Sequence, residues 1–219
     1  WAVEEGVADG TGNGTFSPDD VCTRARENLH TINVNERLKI HSPEKRIIAK
    51  KAVELIEPGT MVFLGISTIN LEIAKLIYQK NLNITLVTNM IDIMKLFTNE
   101  SSTRLVFLGG SFNRARDGFL GSITIEQIKH YKFDVSFLGV VGIDVYDGKV
   151  TTYEVDDGLT KKEVINCSKK SYIVAQKVKL KQDGNYVFGH IADFTGFIFE
   201  DEIQDNLKER IVRYGLEII

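Results

Sequence analysis

The chain has 219 residues, 43% of them hydrophobic and 26% charged, with a formal net charge of −3. That length is enough to bury a substantial core, and the balance is ordinary for a globular protein. A net negative charge excludes an electrostatic nucleic-acid binder acting through this chain alone, and no apolar run is long enough to suggest a membrane-spanning helix.

Two cysteines, Cys22 and Cys167, lie far apart without metal-ligand spacing. This usage fits a reducing cytosol, so a cytoplasmic location and no membrane partner are expected. Residues 1–30 are rich in Gly, Asp, Asn and Thr and show little apolar periodicity. Asp9, Asn13, Gly14 and Asp20 fall at the first, fifth, sixth and twelfth places of a calcium loop. Thr11 is a poor third ligand, however, and Asp20 is too short for the bidentate place, so a glycine-rich turn before a helix near Ser17-Pro18 is expected. Gly12, Gly14, Phe16 and Pro18, followed by Thr23-Arg24-Ala25, resemble the middle of a surface-layer homology module. The resemblance covers about 25 residues, too few for a core. Residues 1–30 are therefore read as an N-terminal appendage and 31–219 as the functional domain.

From residue 44 the pattern is regular. Apolar positions at Ile47, Ile48, Ala52, Val53, Leu55 and Ile56 predict an amphipathic helix over 44–57, closed by Pro58-Gly59. A strand is predicted at 60–65, a helix at 69–78, a strand at 83–89 and a helix at 90–97. A strand follows at 103–110, a helix at 122–131 and one long strand at 135–144. After a loop at 145–157 come a helix at 158–168 and strands at 171–176, 187–191 and 196–201. A last helix spans 202–214, and 216–219 offers a terminal strand. Strands that are apolar throughout and alternate with helices predict an α/β fold, an open, mostly parallel sheet covered by helices.

In such sheets ligands lie outside the carboxyl ends of the strands. The polar and glycine clusters fall there: 65–70, 88–89, 109–111, 139–144 and 151–156. Ser67, Thr68 and Asn70 stand beside one helix start, and Thr88 and Asn89 beside the next, where Asn89 is also a candidate helix cap. Gly109 and Gly110 let backbone amides approach a ligand, or simply make a turn. Gly142, Asp144, Thr151, Thr152 and Glu154 line the later loops. Lys161, on the inward face of its helix, is the strongest phosphate candidate, and Lys179 a second. No catalytic set stands out: His30, His41, His130 and His190 lie near no nucleophile and share no metal spacing. No cofactor or metal is expected.

From about Arg37 to Ile219 the sequence resembles the effector-binding domain of DeoR-family transcriptional repressors. The resemblance rests on "ERLKIHSPEKRIIAKKAVELIEPG" with Arg37 and Lys45, "LVTN" (86–89), "LGG" (108–110) and "FDVSFLGVVGID" (133–144). Thr151-Thr152, Lys161 within "LTKKE" and the "GFIFED…YGLEII" ending complete it. It implies a fold like ribose-5-phosphate isomerase and glucosamine-6-phosphate deaminase, a phosphorylated-sugar effector and a homo-oligomer. It also implies operator DNA as a partner, reached through a winged helix-turn-helix domain that residues 1–30 do not resemble. The family's first loop reads DSGTTT; here Gly65, Ile66, Ser67, Thr68, Ile69 and Asn70 stand there, and only Thr68 is kept. Where the family reads ADSSKFG, residues 175–181 keep Ala175 and Lys179. A more apolar pocket with a changed or weakened ligand is expected. The alternatives are a sugar-phosphate isomerase or deaminase using Asp144, Glu154 or Asp156, and an oligomerisation module with a vestigial pocket.

Overall fold

The computed structural model of the protein describes residues 42–219. The expectations placed on residues 1–30 and on Arg37 lie outside the described residues. In chain order the elements are α1 (Ser42–Val53), β1 (Met61–Leu64), α2 (Thr68–Gln79), β2 (Thr85–Thr88), α3 (Ile91–Leu96) and β3 (Arg104–Phe107). A hairpin follows, β4 (Ser111–Asn113) and β5 (Gly118–Leu120), then α4 (Ser122–Ile128), β6 (Phe133–Leu138), β7 (Gly142–Asp144) and β8 (Lys149–Thr152). The remainder comprises α5 (Val155–Asn166), β9 (Ser168–Val174), a 3₁₀ turn (Lys177–Lys181), β10 (Tyr186–His190), β11 (Gly196–Ile198), α6 (Asp205–Arg213) and β12 (Glu217–Ile218).

Seven strands form one sheet in the order β12-β11-β9-β6-β1-β2-β3, and every pairing in it is parallel. Alternation along the strands feeds two cores. Val62 and Leu64 of β1 join Ile48, Ala52, Ile73 and Ile77 on the face covered by α1 and α2. Phe63 faces the other way, with Phe133, Val164, Phe188 and Phe197. A sheet buried on both faces needs apolar residues at successive positions, which is why β1 reads as an unbroken apolar run.

The chain order creates one divergence. From β1 it steps outward to β2 and β3, then returns to β6 on the other side of β1 and continues to β9, β11 and β12. The gap beyond the carboxyl ends of β1 and β6 is therefore a topological switch point. Asn70, fully buried in the first turn of α2, straps it: its Nδ2 donates to the Gly65 and Phe137 carbonyls, both at 2.9 Å. Thr88 does the same at the next strand, donating to the Leu64 carbonyl at 2.7 Å and accepting from the Met90 amide.

The open parallel sheet covered by helices is as expected, with three local differences. The single strand expected at 135–144 is two. After Leu138 the chain leaves the main sheet and β7 joins β8 and β10 in an antiparallel three-stranded sheet. Glycines permit the bend, since a Cβ on Gly139 would lie 2.6 Å from Ser67 Oγ and one on Gly142 2.1 Å from the Gln182 carbonyl. Second, β8 lies inside the stretch expected to be loop. Third, residues 111–120, to which the sequence assigned no element, form the β4–β5 hairpin.

Loss of the Asn70 strap leaves two buried carbonyls unpaired. Asn70→Ala is expected to lower unfolding free energy by about 2–4 kcal/mol in chemical denaturation. Ser67→Ala, which removes only the α2 cap bond to the Ile69 amide at 3.2 Å, is expected to cost about 1 kcal/mol.

Candidate functional site

The switch point is roofed by two later pieces of chain, the first half of α5 and the β4–β5 hairpin. On α5, Asp157 and Lys161 are one turn apart and so share a face. That face is buried, leaving the two residues 3% and 7% exposed. Burying either charge alone would be costly, and the pair is made at once: Lys161 Nζ lies 2.5 Å from Asp157 Oδ2. The Thr152 hydroxyl, arriving on β8, donates to the same oxygen, and Lys161 Nζ also stands 5.5 Å from the Phe188 ring centre.

The hairpin supplies a second cation. Arg116 Nε donates to Glu154 Oε1 at 3.1 Å, and Asn113 Nδ2 donates to Glu154 Oε2 at 2.6 Å. Glu154 thus ties the hairpin to the start of α5. Arg116 Nη2 is buried with no hydrogen-bond partner among the described residues. The hairpin also docks on β2: the Phe119 amide donates to the Asn89 carbonyl at 2.9 Å, and Asn89 Nδ2 donates to the Phe119 carbonyl at 2.7 Å.

Burial pushes the Asp157 carboxyl up, but the Lys161 and Arg116 cations and the bonds from Lys161 and Thr152 outweigh it. The group lies below the ordinary carboxylate value. Burial, helped by the Arg116 charge, pulls Lys161 down against the attraction of Asp157. The charges of Arg116 and Glu154 both act on Lys161, so the four side chains behave as one electrostatic unit.

Between these walls is a small cavity of about 10 Å³, the space of about one water molecule. Its apolar wall comes from Phe63, Leu138 and Val164, its polar wall from Asn89, Asp157, Thr160 and Lys161, and its mouth from Gly65 and Ile66. Ile66 lies across Gly118 so closely that a Cβ there would meet Ile66 Cδ1 at 2.5 Å. Only glycine lets the loop after β1 and the hairpin touch at this point.

Of the residues expected from the sequence, Asn89 and Lys161 line this cavity, and Thr152 and Glu154 belong to the network behind it. The polar groups of others are committed elsewhere. Ser67 caps α2, while Asn70 and Thr88 strap strand ends. The Gly109 amide donates to Gln127 Oε1 at 3.3 Å, and Gly110 lies against Thr124. Gly142 and Thr151 hold the 182–184 segment, with the Gly184 amide donating to Thr151 Oγ1 at 2.8 Å. Exposed Asp144 accepts from the Tyr146 and Asp147 amides and closes a turn. Lys179 Nζ donates to Gln182 Oε1 at 2.7 Å, and among the described residues no bond ties Thr68 to the network. Asn89 does not cap α3; Asp117 of the hairpin does so instead, accepting from the Asp92 amide at 3.0 Å. Arg116, Asp157 and Asn113 were not expected. Among the described residues no group of three His, Cys, Asp or Glu is placed to hold a metal, and no helix is long and apolar enough to cross a membrane.

An open α/β domain with a charged recess at its switch point is a class shared by proteins of many activities. The model of the DeoR C-terminal sensor domain matches residues 40–201, and the chain belongs to that family. A model of the S-layer homology domain matches residues 1–25. Among curated proteins, the chain is 30% identical over 196 residues to the HTH-type transcriptional regulator FruR of Bacillus subtilis, covering 88% of this chain and 71% of that protein. It is 27% identical to the HTH-type transcriptional repressor GlcR of the same species, covering 84% and 69%. To the glycerol-3-phosphate regulon repressor of Haemophilus influenzae it is 28% identical, covering 80% and 69%. These relatives are transcriptional regulators, and the chain is a regulator's domain rather than an enzyme.

Among solved structures, eIF2B delta from Chaetomium thermophilum is similar with a TM-score of 0.54 and 11% identity, covering 75% of this chain and 58% of that one. The Pyrococcus horikoshii translation initiation factor eIF-2B gives 0.51 and 16%, covering 76% and 66%. Ribose 5-phosphate isomerase A from Methanocaldococcus jannaschii gives 0.44 and 17%, covering 66% and 54%. The chain spans a little over half to two thirds of these solved chains, and the likeness to the two initiation factors is one of fold.

Asp157→Asn leaves Lys161 buried without its counter-charge and is expected to cost about 3–5 kcal/mol near neutral pH. Because the folded carboxyl lies below its unfolded value of about 3.9, its contribution is complete above that value and fades as pH falls through the folded one. Urea unfolding should therefore show a constant gap between wild type and Asp157→Asn near neutral pH, narrowing only as the pH falls below about 5 and on through the folded value.

Proposed function

We propose that residues 31–219 form the effector-sensing and oligomerisation domain of a DeoR-type regulator of sugar metabolism, with 1–30 as an appendage to it. The effector is a phosphorylated sugar or related anion, bound at the carboxyl ends of β1, β2 and β6. A DNA-binding domain of the whole regulator would meet the operator.

The observation that carries this reading is the buried Arg116 Nη2, a guanidinium donor left unpartnered beside the Lys161–Asp157 and Arg116–Glu154 pairs. Guanidinium donors favour planar, doubly bonded contact with phosphate or carboxylate oxygens. Relatives named for the glycerol-3-phosphate regulon and a lactose phosphotransferase system support an effector of this chemistry.

The small cavity favours a second reading, an oligomerisation module whose recess stays shut. Thermal unfolding with ribose 5-phosphate, glucosamine 6-phosphate, glycerol 3-phosphate, their unphosphorylated parents and inorganic phosphate separates the two. The sensing reading expects one phosphorylated compound to stabilise selectively, by about 2.7 kcal/mol at a hundredfold excess over Kd. Arg116→Gln should weaken that binding by about tenfold or more. A flat panel, with a stable oligomer indifferent to every compound, supports the second reading.

A further inference from the structure

We propose that Asn89 chooses the effector: its buried Oδ1 accepts a hydrogen bond from an effector hydroxyl, so the domain recognises a hydroxylated anion and not an anion alone. The inference rests on the sensing function proposed above and names the chemical class of its ligand.

Asn89 is 2% exposed and lines the cavity. Its orientation is fixed, because Nδ2 donates to the Phe119 carbonyl at 2.7 Å and turning the amide over would set two acceptors face to face. Oδ1 is consequently the free end, buried and without a partner among the described residues. A buried acceptor left unpaired is costly, and a native fold keeps few of them. Asn70 Oδ1 is also unpartnered, but it does not line the cavity, and both hydrogens of its amide strap the sheet. Asn89 alone joins an open acceptor to a space.

The space has the right size and charge for the group proposed. About 10 Å³ admits one hydroxyl-sized group and no phosphate. Lys161 inside it is already matched by Asp157 at 2.5 Å, so the interior carries no net positive charge to draw an anion in. The effector's hydroxyl end is the part that enters this space, and its anionic end stays out of it, with Arg116 Nη2 the unpartnered donor of the surrounding network. Ile66, seated against Gly118 at the mouth, is the side chain that the carbon skeleton must pass.

Two matched pairs of probes test this on the full chain: glycerol 3-phosphate against propyl phosphate, and ribose 5-phosphate against 2-deoxyribose 5-phosphate. Calorimetric Kd values would be measured for wild type, Asn89→Leu and Ile66→Ala. A site with a buried hydrogen-bonding group rejects analogues lacking the matching hydroxyl. The expected result is at least about tenfold weaker binding of propyl phosphate than of glycerol 3-phosphate to wild type, with the distinction lost in Asn89→Leu. A merely structural Asn89 would weaken both members of each pair alike, and that result overturns the proposal. Should Asn89→Leu fail to fold, the wild-type pairs decide: equal affinity within both pairs overturns the choice of a hydroxyl while leaving sensing intact. If wild type binds none of the probes, Ile66→Ala decides. Binding there with the same preference for hydroxyls upholds the proposal, whereas no binding in either chain overturns the sensing function and this inference with it.

Discussion

The ion pair between Lys161 and Asp157 sets the terms for everything around it. Two charges withdrawn from water must match each other closely, and the matching fixes the rotation of α5 about its own axis. It also fixes the end of β8, because the Thr152 hydroxyl shares the Asp157 oxygen. Such a pair is weak evidence for net stability, since apolar residues of similar volume often do as well. What it secures is placement: with α5 held, Glu154 at its start is positioned to take Arg116 and Asn113 from the hairpin. The hairpin in turn brings Gly118 against Ile66 and Phe119 against Asn89. A single buried contact thus propagates through a chain of hydrogen bonds into the roof of the switch point.

That roof narrows the recess where Ile66, of the loop after β1, packs against Gly118 of the hairpin. The hairpin is the smaller piece. It has two strands of three residues, and an isolated two-stranded hairpin is marginal in water. Its attachments are both polar and apolar: Glu154, Asn89 and the Asp117 bond to α3 on one side, buried Leu120 and the edge-on contact of Phe119 with Phe107 on the other. Glu154 therefore both holds the hairpin and occupies one side of the Arg116 guanidinium.

The sheet was legible in the sequence because burial on both faces imposes long apolar runs and helical connections impose periodic stripes. Lys161 was legible for a related reason, a lysine placed on the inward face of a helix. Several things were not. The strand expected over 135–144 looked continuous because Gly139 and Gly142 resemble ordinary strand interruptions; only the packing of Ser67 and Gln182 against them shows why the chain turns. Arg116 sits in "NRARDG", a stretch with every mark of a solvated turn, and its role depends on a hairpin only six strand residues long. Asp157 stands at a helix N-terminus, where an acid is favourable whatever its partner, and its neighbour Asp156 stands there just as well. Its four-residue spacing to Lys161 was the available signal. The polar residues expected to meet a ligand were mostly those that close strand ends, since a strand that stops at a switch point leaves buried carbonyls that some side chain must satisfy.

This last point separates the two kinds of polar residue at the site. Thr88 and Asn70 have their donors directed to strand carbonyls, and their positions follow from the sheet alone. Asn89 and Arg116 have their outer faces used by the scaffold and their inner atoms unused. Asn70 Oδ1 is unpartnered too, so what sets Asn89 apart is that its residue also lines the cavity. Asn89 Oδ1 and Arg116 Nη2, one held by the hairpin's Phe119 and the other within its turn, are both buried without partners among the described residues. Leaving them so carries a cost that, on the proposed function, a ligand offering a hydroxyl to one and an anionic oxygen to the other would remove. A differential of that kind, present in one conformation and relieved in another, is what an effector requires in order to shift an equilibrium.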